Sequence, residues 1–216
     1  MFKKKIGILD PNGKKKNPLT NKPYSDFYKQ YATEEWSKLP IYKNVKEIIN
    51  TIKSNRVTII QSGTGSGKSV IVPKCALHTL KYKGKIAMTV PKRILAKETA
   101  EYSAKTLDVK LGEEIGFLYK NSIIKKGEII KYQGEDITIQ KYTPSYDKNN
   151  TKIVYATDGI IVAKFRSDPH MNKANSYDII IIDEAHERSI QTDILLYLVK
   201  NAMNYNNKLK VIILSA

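Results

Sequence analysis

The 216-residue sequence predicts an α/β fold in which helices cover both faces of a mostly parallel central β-sheet. Two observations support this fold class. Short apolar runs typical of strands alternate along the chain with segments that repeat apolar residues at helical spacing. The strand-like runs are also almost continuously apolar, as in Ile179–Ile182, which is typical of strands buried on both faces.

Strand and helix patterns begin near Trp36 and alternate to the end of the chain, so residues 36–216 are predicted to form one domain. The predicted strands are Val57–Ile60, "KIAMTV" ending at Val90, Lys152–Thr157, "YDIIIID" and "LKVIILSA". The predicted helices are "NVKEIINTIKSN" with a stop at Asn55, a helix from about Gly67, "KRILAKETAEYSAK", "GIIVAKF" and "IQTDILLYLVKNAMN".

Two regions depart from this alternation. Residues 1–35 contain prolines, turn formers and basic runs at Lys3–Lys5 and Lys14–Lys16, and we expect a basic extended arm that is ordered only if it docks. The basic runs could be a further nucleic-acid contact, a nuclear address or a solvated tail. Residues 119–150 contain two β-prone runs around Gln133–Asp136, which predict a hairpin inserted at the edge of the sheet, followed by an exposed loop in "SYDKNNTK".

Composition limits the class of protein. The chain has 37 basic and 21 acidic residues, a formal charge of +16 that favours a polyanionic partner, although a general lysine-, asparagine- and isoleucine-rich bias would give the same charge. That bias suggests an AT-rich genome, such as that of a large virus or a parasite. The single cysteine fits a reducing compartment. No apolar run reaches the roughly 18–20 residues of a membrane span. We therefore expect an intracellular protein without a membrane partner, in the cytoplasm, the nucleus or a virus particle.

The stretch "SGTGSGKS" has the composition and the context of a phosphate-binding loop. Its glycines let backbone N–H groups turn toward phosphate oxygens, and the helix that follows adds its positive dipole end. Lys68 would contact the β- and γ-phosphates, and Ser69 would bind Mg²⁺. The residues predicted to hold the nucleotide are Ser62, Gly63, Thr64, Gly65, Ser66, Gly67, Lys68 and Ser69. Ser62 stands where the usual pattern has glycine. A flexible connector is the alternative, and the strand before and helix after disfavour it.

A second motif, "IIIIDEAHERS", places acidic residues at the end of a buried strand. In open α/β sheets ligands bind at the carboxyl ends of the strands. Asp183 is therefore predicted to bind Mg²⁺, and Glu184 to orient and deprotonate the attacking water, with Ser69, Asp183 and Glu184 as the metal-site residues. The alternatives are an ordinary acidic helix start and a packed or solvent-facing His186, and both are weakened by the order of the two motifs.

Together these motifs resemble the first RecA-like domain of a DEAH-box (DEAH/RHA) superfamily 2 helicase. Further segments agree: "TVPKRILAKETAEY" resembles motif Ia, "LGEEIGF" the segment after it, "YATDGIIVAKFRSDP" motif Ib, and "SIQTDILLYLVK" the helix after the DEAH box. "LPIY" resembles the usual lead-in, and the final Ser215-Ala216 resembles motif III. The resemblance covers about 36–216, except for residues 119–150.

The resemblance implies a role for each matching residue. ATP and Mg²⁺ would be bound at the P-loop and the DEAH box, and Lys68, Asp183, Glu184 and His186 would be the catalytic residues. His186 and Ser215 would link the nucleotide state to movement. The residues expected to contact a nucleic-acid backbone are Pro91, Lys92, Arg93, Thr157 and Asp158. Lys92 replaces an expected arginine, which keeps the charge and loses the bidentate fork.

The family also implies a second RecA-like domain whose arginines complete the ATP site, and we expect it to lie outside this chain. The chain is therefore predicted to be the ATP-binding half of an ATP-dependent helicase, weak in hydrolysis by itself. Its predicted partner is single-stranded RNA or DNA, and family analogy favours RNA. The alternative is a nucleic-acid-binding module with a residual nucleotide site.

Overall fold

The structure is a computed structural model that describes residues 10–141 and 143–216. The basic run Lys3–Lys5 therefore lies outside the described residues. Within the described ranges, no helix is both long enough and apolar enough to cross a membrane.

Helices and strands alternate along the described chain. The helices are α1 (Asp26–Glu34), α2 (Val45–Ser54), α3 (Lys68–Thr79), α4 (Arg93–Leu107), α5 (Asp158–Ser167) and α6 (Ile190–Tyr205), with short 3-10 turns at Trp36–Lys38, Pro40–Asn44 and Ala185–Glu187. The strands are β1 (Val57–Gln61), β2 (Ile86–Val90), β3 (Ile115–Leu118), β4 (Ile123–Ile124), β5 (Ile129–Tyr132), β6 (Glu135–Thr138), β7 (Thr143–Pro144), β8 (Ile153–Thr157), β9 (Ile179–Ile182) and β10 (Lys210–Ser215). The five strands and five helices predicted from the sequence are all present.

Six of these strands form one parallel sheet in the order β1-β10-β9-β2-β8-β3. Helices α2, α3 and α4 contribute to the apolar core on one face, and α5 and α6 to the core on the other. The predicted fold class, a parallel sheet covered by helices on both faces, is therefore confirmed.

The run Ile179–Ile182 shows why the central strands are so apolar. All four side chains are fully buried. Because successive side chains of a strand point to opposite faces, Ile179 and Ile181 lie in one core and Ile180 and Ile182 in the other. An alternating polar pattern would place polar side chains in one of the two cores.

The position predicted for the hairpin is wrong. Strands β5 and β6 do form an antiparallel hairpin, and Gln133 and Gly134 at its turn both have positive φ, as a two-residue type I′ turn requires. This hairpin is a separate two-stranded sheet that packs on α4, where Ile130 is buried and Glu128 forms an ion pair with Lys97 at 2.6 Å. The edge strands of the main sheet are β1 and β3. The sequence did not predict β3, because its run is short and contains a glycine.

Residues 143–147 cover the edge strand β3. The N–H of Phe117 donates to the carbonyl of Ser145 at 3.0 Å, which satisfies part of the open edge. At Gly116 a Cβ atom would lie 2.5 Å from Cβ of Tyr146, so the close crossing requires glycine. The predicted exposed loop is confirmed at its tip, 148–150, whereas Ser145 and Thr151 at its two ends are buried.

The prediction of an extended arm is also wrong for residues 26–34, which form α1. Ser25 caps this helix by accepting the N–H of Tyr28 at 3.0 Å. Tyr24, Tyr28 and Ala32 are buried in the core that contains Trp36. Their spacing of four residues is helical, and the prolines and lysines before them concealed it.

The arm docks on the C-terminal end of α4. Ser25 donates through its N–H and its hydroxyl to the two carboxylate oxygens of Asp108, both at 2.8 Å. The side-chain amide of Asn17 donates to the carbonyl of Leu107 at 2.8 Å, which satisfies a carbonyl at the helix end. Of the two basic runs, Lys14–Lys16 lies in this segment with exposed side chains.

Candidate nucleotide site and nucleic-acid edge

The predicted site residues share one edge of the sheet because they follow the carboxyl ends of neighbouring strands. The P-loop follows β1, and Ser215 ends the adjacent β10. Asp183 follows β9. Pro91–Arg93 follows β2, whose last residue, Val90, pairs with Thr157 at the end of β8. The strand order therefore places the predicted nucleotide residues on one half of this edge and the predicted nucleic-acid residues beside them.

The P-loop is shaped by Gly67 and by the segment that precedes the first strand. Gly67 caps α3 with φ 91°, and a Cβ there would lie 2.7 Å from Cδ1 of Leu39. Ile41, two residues after Leu39, also contacts the loop, because its N–H donates to the carbonyl of Ser66 at 3.0 Å. "LPIY" is thus a wall of the P-loop.

Ser62 occupies the glycine position of the motif without backbone strain, since it is not among the residues with positive φ. Its N–H donates to the carbonyl of Ser215 at 3.2 Å, and its hydroxyl lies 2.8 Å from that of Ser66. The serine is therefore tolerated, and it adds a hydrogen bond across the loop.

Lys68 lies inside the P-loop. Its side chain is only 6% exposed, and its ammonium group donates to the carbonyls of Ser62 and Gly63. A buried ammonium needs such acceptors. Phosphate oxygens at the same place would be stronger acceptors for this charge.

Ser69 and Asp183 join the two motifs directly. The Ser69 hydroxyl donates to Oδ2 of Asp183 at 2.8 Å, although 114 residues separate them in the sequence. Burial raises the pKa of the Asp183 carboxyl, while the Ser69 hydroxyl and the charge of Lys68 oppose that shift. Folding therefore brings a hydroxyl group and a carboxylate group into contact at the nucleotide site.

This pair fits Mg²⁺. Hydroxyl and carboxylate oxygens are the ligands that Mg²⁺ prefers, and Mg²⁺ usually keeps several waters and phosphate oxygens besides one or two protein ligands. The described residues contain no cluster of three or more His, Cys, Asp or Glu that could enclose a metal. Ser69 and Asp183 are therefore the protein groups that could hold such an ion with a nucleotide.

The turn after Asp183 is strained. Glu184 and Arg188 flank the 3-10 turn Ala185–Glu187, and both have φ 50° in the left-handed region. This conformation costs about 1–2 kcal/mol for a residue other than glycine and is typical of functional sites. The N–H of Glu184 donates to Oδ1 of Asp183 at 3.0 Å, which fixes the turn on the end of β9.

His186 connects this turn to the end of β10. Its Nδ1 lies 3.4 Å from Oε2 of Glu184 and 3.5 Å from the N–H nitrogen of Ala216. The two contacts require opposite states of the same atom, because a protonated Nδ1 donates to Glu184 and an unprotonated Nδ1 accepts from Ala216. The imidazole therefore lies between Glu184 and the residue that follows Ser215.

The predicted nucleic-acid residues of motif Ia are accessible. Pro91, Lys92 and Arg93 are all exposed at the start of α4. Lys92 is the N-cap residue, its side chain forms no capping hydrogen bond, and the first turn contains no acidic residue. Two cations and a positive helix end therefore coincide there.

Asp158 of motif Ib was predicted to contact a nucleic-acid backbone, but its carboxylate is bonded within the protein. Its Oδ2 accepts the hydroxyl of Thr192 at 2.9 Å, and Thr192 is bonded in turn to Ser189, the N-cap of α6. Burial raises the pKa of the Asp158 carboxyl. The neighbouring Thr157, at the end of β8, is half-buried. Asp158 therefore ties α5 to the helix that follows the DEAH box, a link through Thr192 and Ser189 that the sequence analysis missed.

The fold and the joined motifs define a P-loop nucleotide-binding domain of the α/β class. Residues 42–216 match the family of DEAD/DEAH box helicases. The chain belongs to this family, and its fold is that of the RecA-like first domain of a superfamily 2 helicase.

Two relatives illustrate the similarity. One is the protein L540 of Acanthamoeba polyphaga mimivirus, which is named as an ATP-dependent RNA helicase. It is 43% identical to this chain over 217 residues, covering 100% of this chain and 28% of that protein. The ATP-dependent RNA helicase HrpA of Borreliella burgdorferi is 38% identical over 180 residues, covering 83% of this chain and 19% of that protein. The chain thus spans less than a third of the length of either relative. The viral relative agrees with the origin suggested by composition.

Proposed function

We propose that this chain is the ATP-binding half of an ATP-dependent helicase that acts on RNA. The observation that carries the proposal is the 2.8 Å contact between Ser69 and Asp183, which joins the phosphate-binding loop to the DEAH box. Both relatives named above are described as RNA helicases, which favours RNA over DNA.

The nucleotide site assigns a task to each of its side chains. Lys68 would bind the β- and γ-phosphates through its buried ammonium, and Ser69 and Asp183 would hold Mg²⁺. Held there, Mg²⁺ would supply positive charge that offsets the negative charge of the phosphates. Glu184 is partly exposed, so its carboxylate can reach a water molecule, orient it and accept its proton.

His186 and β10 would carry the state of this site to the rest of the domain. Ser215 lies on the strand between the P-loop and the DEAH box, and the N–H of Ala216 faces His186. A change of partner at the imidazole would move hydrogen bonding from the DEAH box to the end of β10. That exchange is the physical basis on which we propose a coupling role for His186 and Ser215.

We propose that an RNA single strand lies along the neighbouring half of the same edge. Lys92 and Arg93 would bind phosphates together with the start of α4, and Thr157 would contribute a polar group from the adjacent strand. Contacts of this kind follow the backbone and carry no base information, so binding should depend on salt and little on sequence.

Efficient hydrolysis would need arginines from a second RecA-like domain. Arg188, which follows the DEAH box in the sequence, donates to both carboxylate oxygens of Asp193, at 2.8 and 3.1 Å. Its guanidinium thus already has a partner within this chain. In phosphoryl-transfer enzymes an arginine supplied to the site is worth about 10³–10⁵ in rate.

The test is ATP binding and turnover by the chain, with and without single-stranded RNA, compared with Lys68→Ala and with Lys81→Ala as an exposed control. We expect an ATP analogue to bind the wild type and the control but not Lys68→Ala, and turnover to be slow in all three. Vigorous turnover by the chain alone would contradict the need for a second domain.

Two alternatives have separate outcomes. If RNA affinity is the same with and without an ATP analogue, the chain is a nucleic-acid-binding module with a residual nucleotide site. If a DNA strand of matching sequence binds more tightly than RNA and stimulates turnover more, the protein is a DNA helicase.

A further inference from the structure

A groove begins at the amino ends of the central strands, opposite the nucleotide site, and continues along α5 as far as Leu118 at the end of β3. One part, of about 470 Å³, lies between the turn before β2, residues 171–178 and the turn from α6 to β10. A second part, of about 590 Å³, lies between α5 and residues 146–151. The two parts share Lys85, Asn175 and Tyr177, and we call them together the basal groove.

The basal groove is strongly basic. Among the residues that the structure describes, six lysines and two aspartates line it; the lysines are Lys83, Lys85, Lys148, Lys164, Lys173 and Lys208. Both aspartates already accept hydrogen bonds from the chain: Asp178 accepts the backbone N–H of Lys85 at 2.8 Å, and Asp147 accepts the N–H of Asn149 at 2.7 Å. Positive charge therefore prevails in the groove.

Lys85 lies where the two parts meet and shows how this charge is held. Its ammonium donates to the carbonyl of Lys148 and to Oδ1 of Asn175, which ties the two walls together. Burial lowers the pKa of Lys85, and the charge of Lys152 lowers it further. An anion bound beside this lysine would stabilise its charged form.

An aromatic platform borders the groove. The Tyr205 side chain is 66% exposed, and its ring is stacked on His170 at a centroid distance of 4.3 Å and an angle of 21°. The amide of Asn206 donates to the carbonyls of His170 and Met171, at 3.2 and 2.7 Å, which fixes the platform on the chain. One ring face is thus covered by His170, and the high exposure leaves room for a further ring.

We propose that the basal groove is a second binding site for single-stranded nucleic acid, with its lysines on phosphates and a base stacked on Tyr205. Lysines along a groove and an exposed aromatic ring are the two components of sequence-tolerant single-strand binding. An acidic polypeptide would use the lysines and leave the platform without a role. This site is separate from the edge that carries Lys92 and Arg93, so it can exist whether or not the proposed helicase function is correct.

The experiment measures binding of a labelled single-stranded oligouridine to the full chain over a range of salt concentrations. The test variant is Lys83→Glu/Lys208→Glu, and the control with the same charge change is Lys46→Glu/Lys53→Glu, two exposed lysines on α2. We expect the groove variant to bind about tenfold more weakly and its log–log salt slope to fall by roughly 1.4, about 0.7 for each lost contact. Tyr205→Ala should weaken binding about tenfold without changing the slope.

The same variants are also combined with Lys92→Glu/Arg93→Glu, in which the remaining binding should depend on the basal groove. Binding of an ATP analogue and the melting temperature should stay at the wild-type values in the groove variant, which shows that the fold is intact. The proposal is overturned if the groove variant binds no more weakly than the α2 control. It is also overturned if Tyr205→Ala binds like the wild type while polyglutamate displaces the oligouridine, because the occupant is then an acidic polypeptide.

Discussion

At the scale of single residues, the nucleotide site depends on two oxygen atoms that meet at 2.8 Å, the hydroxyl of Ser69 and Oδ2 of Asp183. Each alone is an ordinary polar group. Because Asp183 is buried and Lys68 is close enough to affect its pKa, the two oxygens lie in a site where charge is only partly balanced by the protein. A metal nucleotide would complete that balance.

Ser69→Ala should therefore weaken binding of an ATP analogue in the presence of Mg²⁺ by about tenfold or more, the size expected when a hydrogen bond to a charged group is lost. Calorimetry with Mg²⁺ and with a chelator would measure the change. Ser54→Ala, at an exposed position at the end of α2, is the control. Equal loss of affinity in the two buffers would show that Ser69 acts on the phosphates and not through the metal.

Asp158 provides a pH-dependent prediction. Burial raises the pKa of its carboxyl in the folded state, so at pH values between the unfolded and the folded pKa the folded protein holds a proton that the unfolded chain has already released. Stability is then lost as the pH rises through this range, and the full cost is present above the folded pKa. Asp158→Asn keeps an acceptor for Thr192 and removes the charge.

Asp158→Asn should have a higher melting temperature than the wild type at pH 7, by roughly 2–4 °C for each kcal/mol recovered. The difference should close as the pH falls and the wild-type carboxyl takes up its proton. Asp193→Asn is the control, since the contact with Arg188 lowers the pKa of Asp193; that variant should show no gain. A variant at position 158 less stable than the wild type at pH 7 would be evidence against a costly buried charge.

At the scale of elements, the two regions without an assigned motif pack against each other. A Cβ atom at Gly134, in the turn of the β5–β6 hairpin, would lie 2.8 Å from Cδ2 of Phe27 on α1. Lys105 of α4 lies over the rings of Phe27 and Tyr31, at 5.5 and 4.0 Å. The hairpin, the arm helix and α4 therefore form one packed unit on the surface of the domain.

Gly134→Ala should destabilise the protein more than Gly127→Ala. Both positions have positive φ, 89° and 83°, and both substitutions carry the left-handed cost of about 1–2 kcal/mol. Only Gly134 has a neighbour within 4 Å, so the difference between the two melting temperatures isolates the contact with Phe27. Equal melting temperatures would mean that the hairpin turn does not press on α1.

At the scale of the whole molecule, the chain carries a formal charge of +16. On the edge that holds the site, Lys92 and Arg93 contribute to this charge beside the positive end of α4. Lys92→Glu/Arg93→Glu should lower RNA affinity by the same factor for oligonucleotides of different sequence. It should also reduce the log–log salt slope by roughly 0.7 for each contact removed. Titrations of two unrelated RNA sequences at several salt concentrations would measure both; a loss confined to one sequence would point to base recognition instead.

Much of this molecule could be predicted from short stretches of sequence. Local structure could be predicted for three such stretches: the run Ile179–Ile182, the helix stripe Val45–Ile52 and the glycines of the P-loop. In each, the burial pattern or the backbone freedom of neighbouring residues is enough to indicate a strand, a helix or a turn. The motifs after β1 and β9 could also be assigned to one edge, since parallel strands carry their carboxyl ends together.

The sequence by itself determined the alternation of strands and helices, the parallel sheet and the identity of the residues at its carboxyl edge. Only the tertiary structure decided that the arm folds into α1, that the hairpin packs on α4, and that Asp158 bonds Thr192. It also assembled the basal groove from segments far apart in the chain. The physical reason is the range of the interactions. Periodicity and turn chemistry depend on residues a few positions apart, whereas docking and charge clustering depend on contacts between segments far apart in the chain, which no local pattern can reveal.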